Sequence, residues 1–285
     1  MVRVRPLHGG VSSSVHLVHL SNREAVIVRR YGAYMQQVDP QACEREYRIL
    51  GVLRRLDQPV PAPLLLDSDG GTFGAPTVVL SRLAGRPLMV PRDLTDHLDQ
   101  MACALVRLHA LPIDDMTFLP DQRVYVERSL EADRKPSGDR LQEAVWSAAQ
   151  RGWARAAESD GRRALVHGDY WPGNLLWRRG KLTGIVDWEQ PRLGNPTKDV
   201  ATCRADLSIV FGLDAADAFS TRYLAAGGQV DHLEFYDLLV ATWALREIEG
   251  WATVYPLLGR PDLTPELATR RIRAFAERAH SRQNG

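Results

Sequence analysis

The stretch ALVHGDYWPGNLLWRRGKLTGIVDWEQ, residues 164–190, places polar side chains at the ends of short apolar runs. The run ALV precedes HGD, the run NLLW follows the turn residues PG, and the run GIV leads into DWE. Polar residues of an ordinary surface would be scattered among other charges, whereas these interrupt strand-like segments. The pattern is typical of functional side chains that a rigid scaffold holds at the ends of buried strands.

Three side chains of this stretch, Asp169, Asn174 and Asp187, suit a magnesium site with a neighbouring base. Mg²⁺ prefers hard oxygen ligands, binds few protein groups and completes its octahedron with water and phosphate oxygens. Zinc would require more His or Cys ligands. With Asn174 and Asp187 as metal ligands, Asp169 is free to accept a proton. The segments NLLW and LTGIV are predicted to form a hairpin that brings Asp187 beside Asn174, so the stretch predicts phosphoryl transfer.

The rest of the chain predicts a sheet-rich N-terminal part and a mainly helical remainder. Alternating and β-branched runs predict strands, and apolar residues at helical spacing after an Asp-Pro pair predict one main helix. In the N-terminal part the predicted strands include 14–20, 24–30 and 75–83, and the predicted helix is 39–56. We find no internal repeat or low-complexity tract. The sequence therefore predicts two domains, residues 1–84 and residues 85–285.

Composition narrows the class of protein. A formal net charge of +1 and the absence of a basic run with interleaved aromatics argue against nucleic-acid binding. The first ten residues contain no apolar run typical of a secretory signal, and no segment is apolar enough to cross a membrane. Cys43, Cys103 and Cys203 are widely spaced, as expected for reduced thiols. We therefore expect a cytoplasmic protein without a membrane partner, and nothing in the sequence indicates an obligate protein partner.

The motifs around the opening stretch resemble those of the aminoglycoside phosphotransferase and choline kinase-like family. That family has the pattern H-G-D-x-x-x-x-N, then a strand that ends in D-[FW]-E, and then G-[DN]-P-x-x-D. The matching residues here are His167-Gly168-Asp169, Asn174, Asp187-Trp188-Glu189 and Gly194-Asn195-Pro196 with Asp199. The resemblance covers roughly residues 5–210, and the combination of motifs is specific where HGD alone would be weak.

The resemblance implies an α+β, two-lobed protein-kinase-like fold with a small β-rich N-lobe, one main N-lobe helix and a larger, mostly helical C-lobe. Residues 1–84 would bind the nucleotide, and residues 85–285 would provide catalysis and substrate binding. Asp169 would be the catalytic base, Asn174 and Asp187 the magnesium ligands, and His167 an organiser of the catalytic loop. Asp199 would hydrogen-bond the backbone of that loop. The implied cofactors are ATP, with GTP as an alternative, and Mg²⁺.

A kinase-type nucleotide site also needs a small-residue turn over the phosphates, a cation on the third strand and a carboxylate on the helix. Arg29 is the predicted cation, with Arg30 as a competitor, and Glu46 is its predicted partner, with Glu44 as a poorer one. Arginine is always charged and can bind two phosphate oxygens at once. The remaining predicted nucleotide contacts are Gly10, Ser12 and Ser13 in the turn, and the backbone around Ser81 and Leu83 beside adenine.

The acceptor-binding residues are harder to predict because specificity lies in the helical remainder. Trp243, Glu247 and Trp251 recur at four-residue spacing and share one face of a predicted helix. Aromatic rings stack on sugars and cations, and a carboxylate binds ammonium groups, although a Trp stripe is also typical of a buried core. Glu189 and Asp206 are further acceptor candidates.

Several functions are compatible with this pattern. We expect a small-molecule kinase that transfers the γ-phosphoryl group of ATP to an alcohol, similar to an aminoglycoside phosphotransferase and with a possible role in antibiotic resistance. A kinase for homoserine, choline, a sugar or a macrolide on the same scaffold is the first alternative. A nucleotide-binding pseudokinase that acts as an interaction module is the second, although the intact base and metal ligands argue against it. A protein kinase is disfavoured because DWE replaces D-F-G and no A-P-E segment follows.

Overall fold

The computed structural model describes residues 3–7, 13–22, 24–131, 134–158 and 162–284 of the 285-residue chain. The strands are β1 (Arg3–Leu7), β2 (Ser13–His19), β3 (Ala25–Tyr31), β4 (Pro63–Asp67), β5 (Thr77–Ser81), β6 (Ala164–Val166), β7 (Leu175–Arg178), β8 (Lys181–Ile185) and β9 (Arg192–Gly194). The α-helices are α1 (Ala33–Val38), α2 (Ala42–Arg55), α3 (Leu94–His109), α4 (Gln122–Ser129), α5 (Arg140–Glu158), α6 (Thr197–Val210), α7 (Leu213–Ala225), α8 (Leu233–Trp251) and α9 (Pro265–Asn284). Within these described ranges, no helix is both long and apolar enough to span a lipid bilayer.

The chain forms two compact units. The first unit comprises residues 1–87 and 174–191, and the second comprises residues 88–173 and 192–285. The structure therefore assigns the β7–β8 hairpin to the first unit, whereas a cut at residue 84 would leave it in the second. The predicted roles of the two domains in nucleotide binding and catalysis stay predictions.

The first unit is built on a five-stranded antiparallel sheet with the strand order β1-β2-β3-β5-β4. Helix α2 packs against β4 and β5 because one of its faces is apolar, with Ile49, Leu50 and Leu53 fully buried. The predicted order of strands and main helix is confirmed. The short helix α1 is additional; its six residues contain a single buried side chain, Met35, so it carries little periodic signal.

The β7–β8 hairpin follows the sequence prediction. Leu175 pairs with Ile185, and Arg178 pairs with Lys181 across a two-residue turn. Arg179 and Gly180 both have positive φ angles, +52° and +75°, as a type I′ turn requires and as the twist of paired strands favours. The amide of Ile185 donates to the carbonyl of Pro59 at 2.8 Å, which ties the hairpin to the rest of the first unit.

The second unit is mainly helical around α6. Thirteen of the fourteen residues of this helix are buried, and it contacts α7, α8 and α9. Strand β6 pairs with β9 in antiparallel register, with Ala164 opposite Gly194. Helix α4 lies in the polar segment for which the sequence gives no clear prediction; Asp121 caps it by accepting a hydrogen bond from the amide of Arg123 at 2.8 Å. The α+β class, with a β-rich N-terminal part and a larger helical part, is confirmed.

Candidate active site

The HGD segment begins directly after β6 and is fixed by the first turn of α6. The carboxylate of Asp199 accepts hydrogen bonds from the amide of His167 at 2.7 Å and from the amide of Gly168 at 2.9 Å. Gly168 has a φ of +89°, a conformation that glycine adopts without the strain a side chain would add. The ring Nδ1 of His167 accepts from the amide of Asp169 at 3.2 Å. The backbone that carries Asp169 is therefore held at three consecutive amides.

Asp199 is fully buried and is part of a wider hydrogen-bonded group. His109 contacts it through Nε2 at 3.2 Å and contacts the hydroxyl of Tyr223 through Nδ1 at 2.7 Å. Burial acts to raise the pKa of Asp199, but the hydrogen bond and charge of His109 and the charges of His167 and Lys198 outweigh it and hold the pKa below its usual range. The ionised form of Asp199 is thus the one that the fold stabilises.

Substituting Asp199→Asn is expected to destabilise the protein by about 3 kcal/mol at neutral pH, because an amide cannot accept bonds from both loop amides through two oxygens. A carboxyl group whose pKa is lowered in the folded state stabilises the fold above its unfolded pKa, and this contribution disappears as the pH falls through the folded value. The difference between the two proteins should therefore shrink as the pH falls below about 4. Urea unfolding at several pH values measures the difference in free energy of unfolding between the wild type and Asp199→Asn. A difference that stays constant down to the most acidic pH would contradict this account.

Arg29 lies at the centre of a second cluster, which belongs to the first unit. Its guanidinium contacts Glu46 at 2.8 Å, Asp187 at 2.5 Å and Glu189 at 3.2 Å. Its Nε donates to the hydroxyl of Ser13 at 2.9 Å. Burial acts to lower the pKa of Arg29, but the charges of Asp187 and Glu46 outweigh it and raise the pKa well above its usual range. The strand cation and helix carboxylate that the sequence predicts are thus brought together, and Arg29 rather than Arg30 contacts Glu46.

Glu46 has a second partner that the sequence did not reveal. The hydroxyl of Tyr31 donates to Glu46 at 2.6 Å, and burial together with the charge of Glu46 raises the pKa of Tyr31 well above its usual range. Glu44, the alternative partner, is exposed and lies 3.9 Å from Arg48 instead. Tyrosine is common in β-strands, and Tyr31 is the last residue of β3, so the sequence gives no sign that it is a partner of Glu46.

Substituting Glu46→Gln is expected to lower the free energy of unfolding by about 2 kcal/mol, because both oxygens of Glu46 accept buried hydrogen bonds, from Arg29 and from the hydroxyl of Tyr31, and an amide offers one oxygen only. Glu44→Gln on the same helix is the matched control, and we expect a change below about 0.5 kcal/mol because exposed pairs contribute little. Chemical denaturation of both variants measures the difference. Equal effects of the two substitutions would show that the buried pair has no special role.

The two predicted metal ligands lie at one end of the β7–β8 hairpin. The amide of Val186 donates to the carbonyl of Asn174 at 2.9 Å, so the chain positions of Asn174 and Asp187 are adjacent. Asp187 has a φ of +69°, a left-handed conformation that is uncommon outside glycine and that concentrates at functional sites. Among the described residues, no group of three or more His, Cys, Asp or Glu side chains could hold a metal ion. An amide and a carboxylate nevertheless suit Mg²⁺, which takes its other ligands from water and phosphate.

The other predicted nucleotide contacts are placed as follows. Gly10 and Ser12 lie outside the described residues. Ser13 begins β2 and bonds Arg29. Ser81 is held by Ala62, whose carbonyl accepts from the amide of Ser81 and whose amide donates to the hydroxyl of Ser81, each at 2.8 Å. Because this amide and hydroxyl are engaged, Leu83 and its neighbours after β5 are the better candidates to contact adenine.

The predicted acceptor residues do not form one group. Trp243 is half-buried and packs edge-on against Tyr125, with ring centroids 5.3 Å apart. Glu247 is exposed and paired with Arg246 at 2.7 Å, and the Trp251 side chain is 36% exposed. Glu189 contacts Arg29 in the first unit. Asp206 keeps some of its surface exposed, whereas the other thirteen residues of α6 are buried. Its carboxyl group is nevertheless largely shielded from solvent, and this shielding together with the charge of Asp169 raises its pKa well above the usual range.

The chain is similar in sequence to known phosphotransferases. The sequence pattern of the phosphotransferase enzyme family matches residues 3–239. Viomycin phosphotransferase of Streptomyces vinaceus is 26% identical over 211 residues, which are 66% of this chain and 68% of that protein. Acyl-CoA dehydrogenase family member 10 of Mus musculus is 24% identical over 214 residues, or 67% of this chain, and the chain spans 19% of that protein's length.

Among solved structures, a ternary complex of a thermostable mutant of aminoglycoside phosphotransferase APH(4)-Ia with AMP-PNP and hygromycin B aligns with a TM-score of 0.67 at 18% identity. The alignment covers 96% of this chain and 93% of that one. At this identity the similarity shows a shared fold. Because the family pattern matches most of the chain, the protein belongs to the phosphotransferase enzyme family.

Proposed function

We propose that this protein transfers the γ-phosphoryl group of ATP to a hydroxyl group of a small molecule. The observation that carries the proposal is the Arg29 cluster: a buried cation contacts a helix carboxylate and the carboxylate of Asp187 at once. A structural ion pair would need one carboxylate. A cation that contacts two or three is suited to exchange some of them for phosphate oxygens when a nucleotide binds.

Each unit would contribute a distinct part of the reaction. In the first unit, Glu46 orients Arg29 so that its guanidinium can bind phosphate oxygens of the nucleotide. Asn174 and Asp187 would hold Mg²⁺, which neutralises phosphate charge when bound. In the second unit, Asp169 would accept the proton of the acceptor hydroxyl, and His167 and Asp199 would keep its backbone in place. Most of the rate enhancement would come from positioning and charge neutralisation.

For the acceptor we propose a class of compound and not one particular molecule. Relatives and structural neighbours carry the names of viomycin, macrolide and aminoglycoside phosphotransferases, which favours a polyfunctional antibiotic-like alcohol and a role in resistance. A metabolite kinase on the same scaffold is the second candidate, because a metabolite and an antibiotic can both present the hydroxyl group from which Asp169 would accept a proton. Asp206, beside the charge of Asp169, is the best acceptor contact among the predicted residues.

The decisive experiment measures ADP release from Mg²⁺-ATP in the presence of viomycin, aminoglycosides, macrolides, choline, homoserine and sugars. Asp169→Asn serves as the blank. Stimulation by one class that is lost in the variant would establish both the reaction and the acceptor. Separate titration with Mg²⁺-ATP and Mg²⁺-GTP would determine the nucleotide. Absence of any nucleotide binding would refute the proposal, and binding without stimulated release would favour the interaction-module alternative.

A further inference from the structure

Helix α6 carries a stripe of three polar residues on one of its faces. Lys198, Thr202 and Asp206 recur every four residues and therefore lie on one face. Lys198 is only 5% exposed and Thr202 only 7% exposed. Lysine is rarely buried, and the chain contains only three lysines, of which Lys135 and Lys181 are exposed. A buried lysine in so lysine-poor a chain calls for a specific interaction.

The ammonium group of Lys198 makes three interactions within the second unit. It donates to the carbonyl of Gly168 at 2.8 Å and to the hydroxyl of Thr202 at 2.9 Å. It also lies 5.1 Å from the ring centroid of Trp243, within cation–π distance. Gly168 is thus held from both sides by neighbouring residues of α6, since Asp199 accepts from its amide. Lys198 fixes the peptide that leads directly into Asp169.

The charges that face Lys198 come from three elements. Asp199 and Asp206 lie on α6, Asp169 on the loop after β6, and Arg192 on β9. Burial lowers the pKa of Lys198 to about 8, while the charges of Asp199, Asp169 and Asp206 favour its charged form and that of Arg192 opposes it. Asp199 already has the two loop amides and His109 as partners, and the pKa of Asp206 is raised. Among the acidic groups, Asp199 favours the ammonium form most and Asp169 next, so Lys198 balances part of the charge of both.

We propose that Lys198 is a positioning residue of the phosphotransferase site: it clamps the Gly168 carbonyl and supplies the counter-charge for Asp169 while making no contact with substrate. The side chain is suited to this role because its ammonium group makes two hydrogen bonds and one cation–π contact within the second unit. The motif G-[DN]-P-x-x-D leaves this position open, so the family pattern does not require a lysine there. Because this role of Lys198 rests on the proposed function, its test includes a measurement that is independent of turnover.

The kinetic test compares Lys198→Met with Lys181→Met, a matched removal of an exposed lysine. We expect kcat to fall on the order of 10²-fold in Lys198→Met, as a displaced base would cause, with the KM for Mg²⁺-ATP changed less than about twofold. The acidic limb of the kcat–pH profile should move to higher pH, because a cation beside the carboxylate is lost. Thr202→Val, which retains the Gly168 bond, should show a smaller decrease. An unchanged kcat and pH profile in folded Lys198→Met would overturn the proposal.

The second test requires neither turnover nor a substitution at Lys198. In protein labelled with ¹³C-lysine, three side-chain signals are expected, of which one should titrate near pH 8. In Asp169→Asn this titration should move to lower pH, since the carboxylate that favours the ammonium is gone. A titration that does not respond to Asp169→Asn would refute the counter-charge role. A wild-type protein that shows this coupling but phosphorylates no acceptor would instead refute the proposed function.

Discussion

Asp169→Asn is expected to lower kcat by roughly 10²- to 10⁴-fold while leaving the affinity for Mg²⁺-ATP nearly unchanged. The magnitude is what a general base contributes when it accepts a proton in the transition state. Nucleotide binding should survive because Arg29, Glu46 and Asp187 belong to the other compact unit. Asparagine keeps the size of the side chain and its hydrogen-bonding oxygen but cannot take the proton at neutral pH. Single-turnover kinetics with the best acceptor, together with calorimetric titration of Mg²⁺-ATP, would measure both quantities.

Asp214→Asn offers a control on the second unit, at an exposed position in the first turn of α7. It should leave kcat and KM within about twofold of the wild-type values, as is usual for surface substitutions. If Asp169→Asn kept more than about a tenth of the wild-type kcat, proton transfer to Asp169 would not limit the reaction. A parallel loss of nucleotide affinity would indicate that the substitution had disturbed the fold.

Asp187→Ala should weaken Mg²⁺-ATP binding by more than about 100-fold, a larger loss than is caused by removing a residue that only hydrogen-bonds a metal ligand. Two effects combine, because the substitution removes a proposed metal ligand and releases one carboxylate from the buried Arg29. Alanine is also less compatible than aspartate with the left-handed backbone at this position. Titration of the nucleotide in the presence and absence of Mg²⁺ separates the metal from the rest of the binding energy.

Asp187→Asn distinguishes these causes. Asparagine tolerates the same backbone conformation and retains one oxygen ligand, but it lacks the charge. We expect it to lose most of the Mg²⁺-dependent affinity with little loss of stability, whereas Asp187→Ala should lose both. Intact Mg²⁺-ATP affinity in both variants would contradict the assignment of Asp187 as a metal ligand.

The sequence predicted the parts of this fold that depend on local patterns. The β7–β8 hairpin followed from two apolar runs around a short turn, and the partnership of Arg29 with Glu46 followed from the resemblance to kinase-like enzymes. In each case the residues lie in regular strands or helices, where periodicity or motif spacing fixes their relative positions. The family membership rests on the same motifs, which the comparisons with known proteins support.

The features of the fold and site that the sequence did not predict depend mainly on contacts between segments that are distant in sequence. Lys198 carries no periodic signal, and only the packing of α6 against the HGD segment brings its ammonium to Gly168. Glu189 was expected near an acceptor, but the structure pairs it with Arg29, 160 residues away. Helix α4 was missed because it is short and has only two buried residues. Single-sequence patterns report which face of an element is apolar, whereas they do not report which neighbour that face meets.

The first unit is formed by two separate stretches of the chain, and this determines when the unit can be completed during synthesis. Arg29 bonds to Asp187, 158 residues further along the chain, and the β7–β8 hairpin belongs to the same unit as the N-terminal sheet. At typical translation rates, roughly 8 to 30 s separate the emergence of these two residues from the ribosome. Of the three carboxylates that contact Arg29, only that of Glu46 has been made during this interval. The first unit is therefore complete only after more than half of the polypeptide has been made, although all five strands of its sheet lie within the first 81 residues.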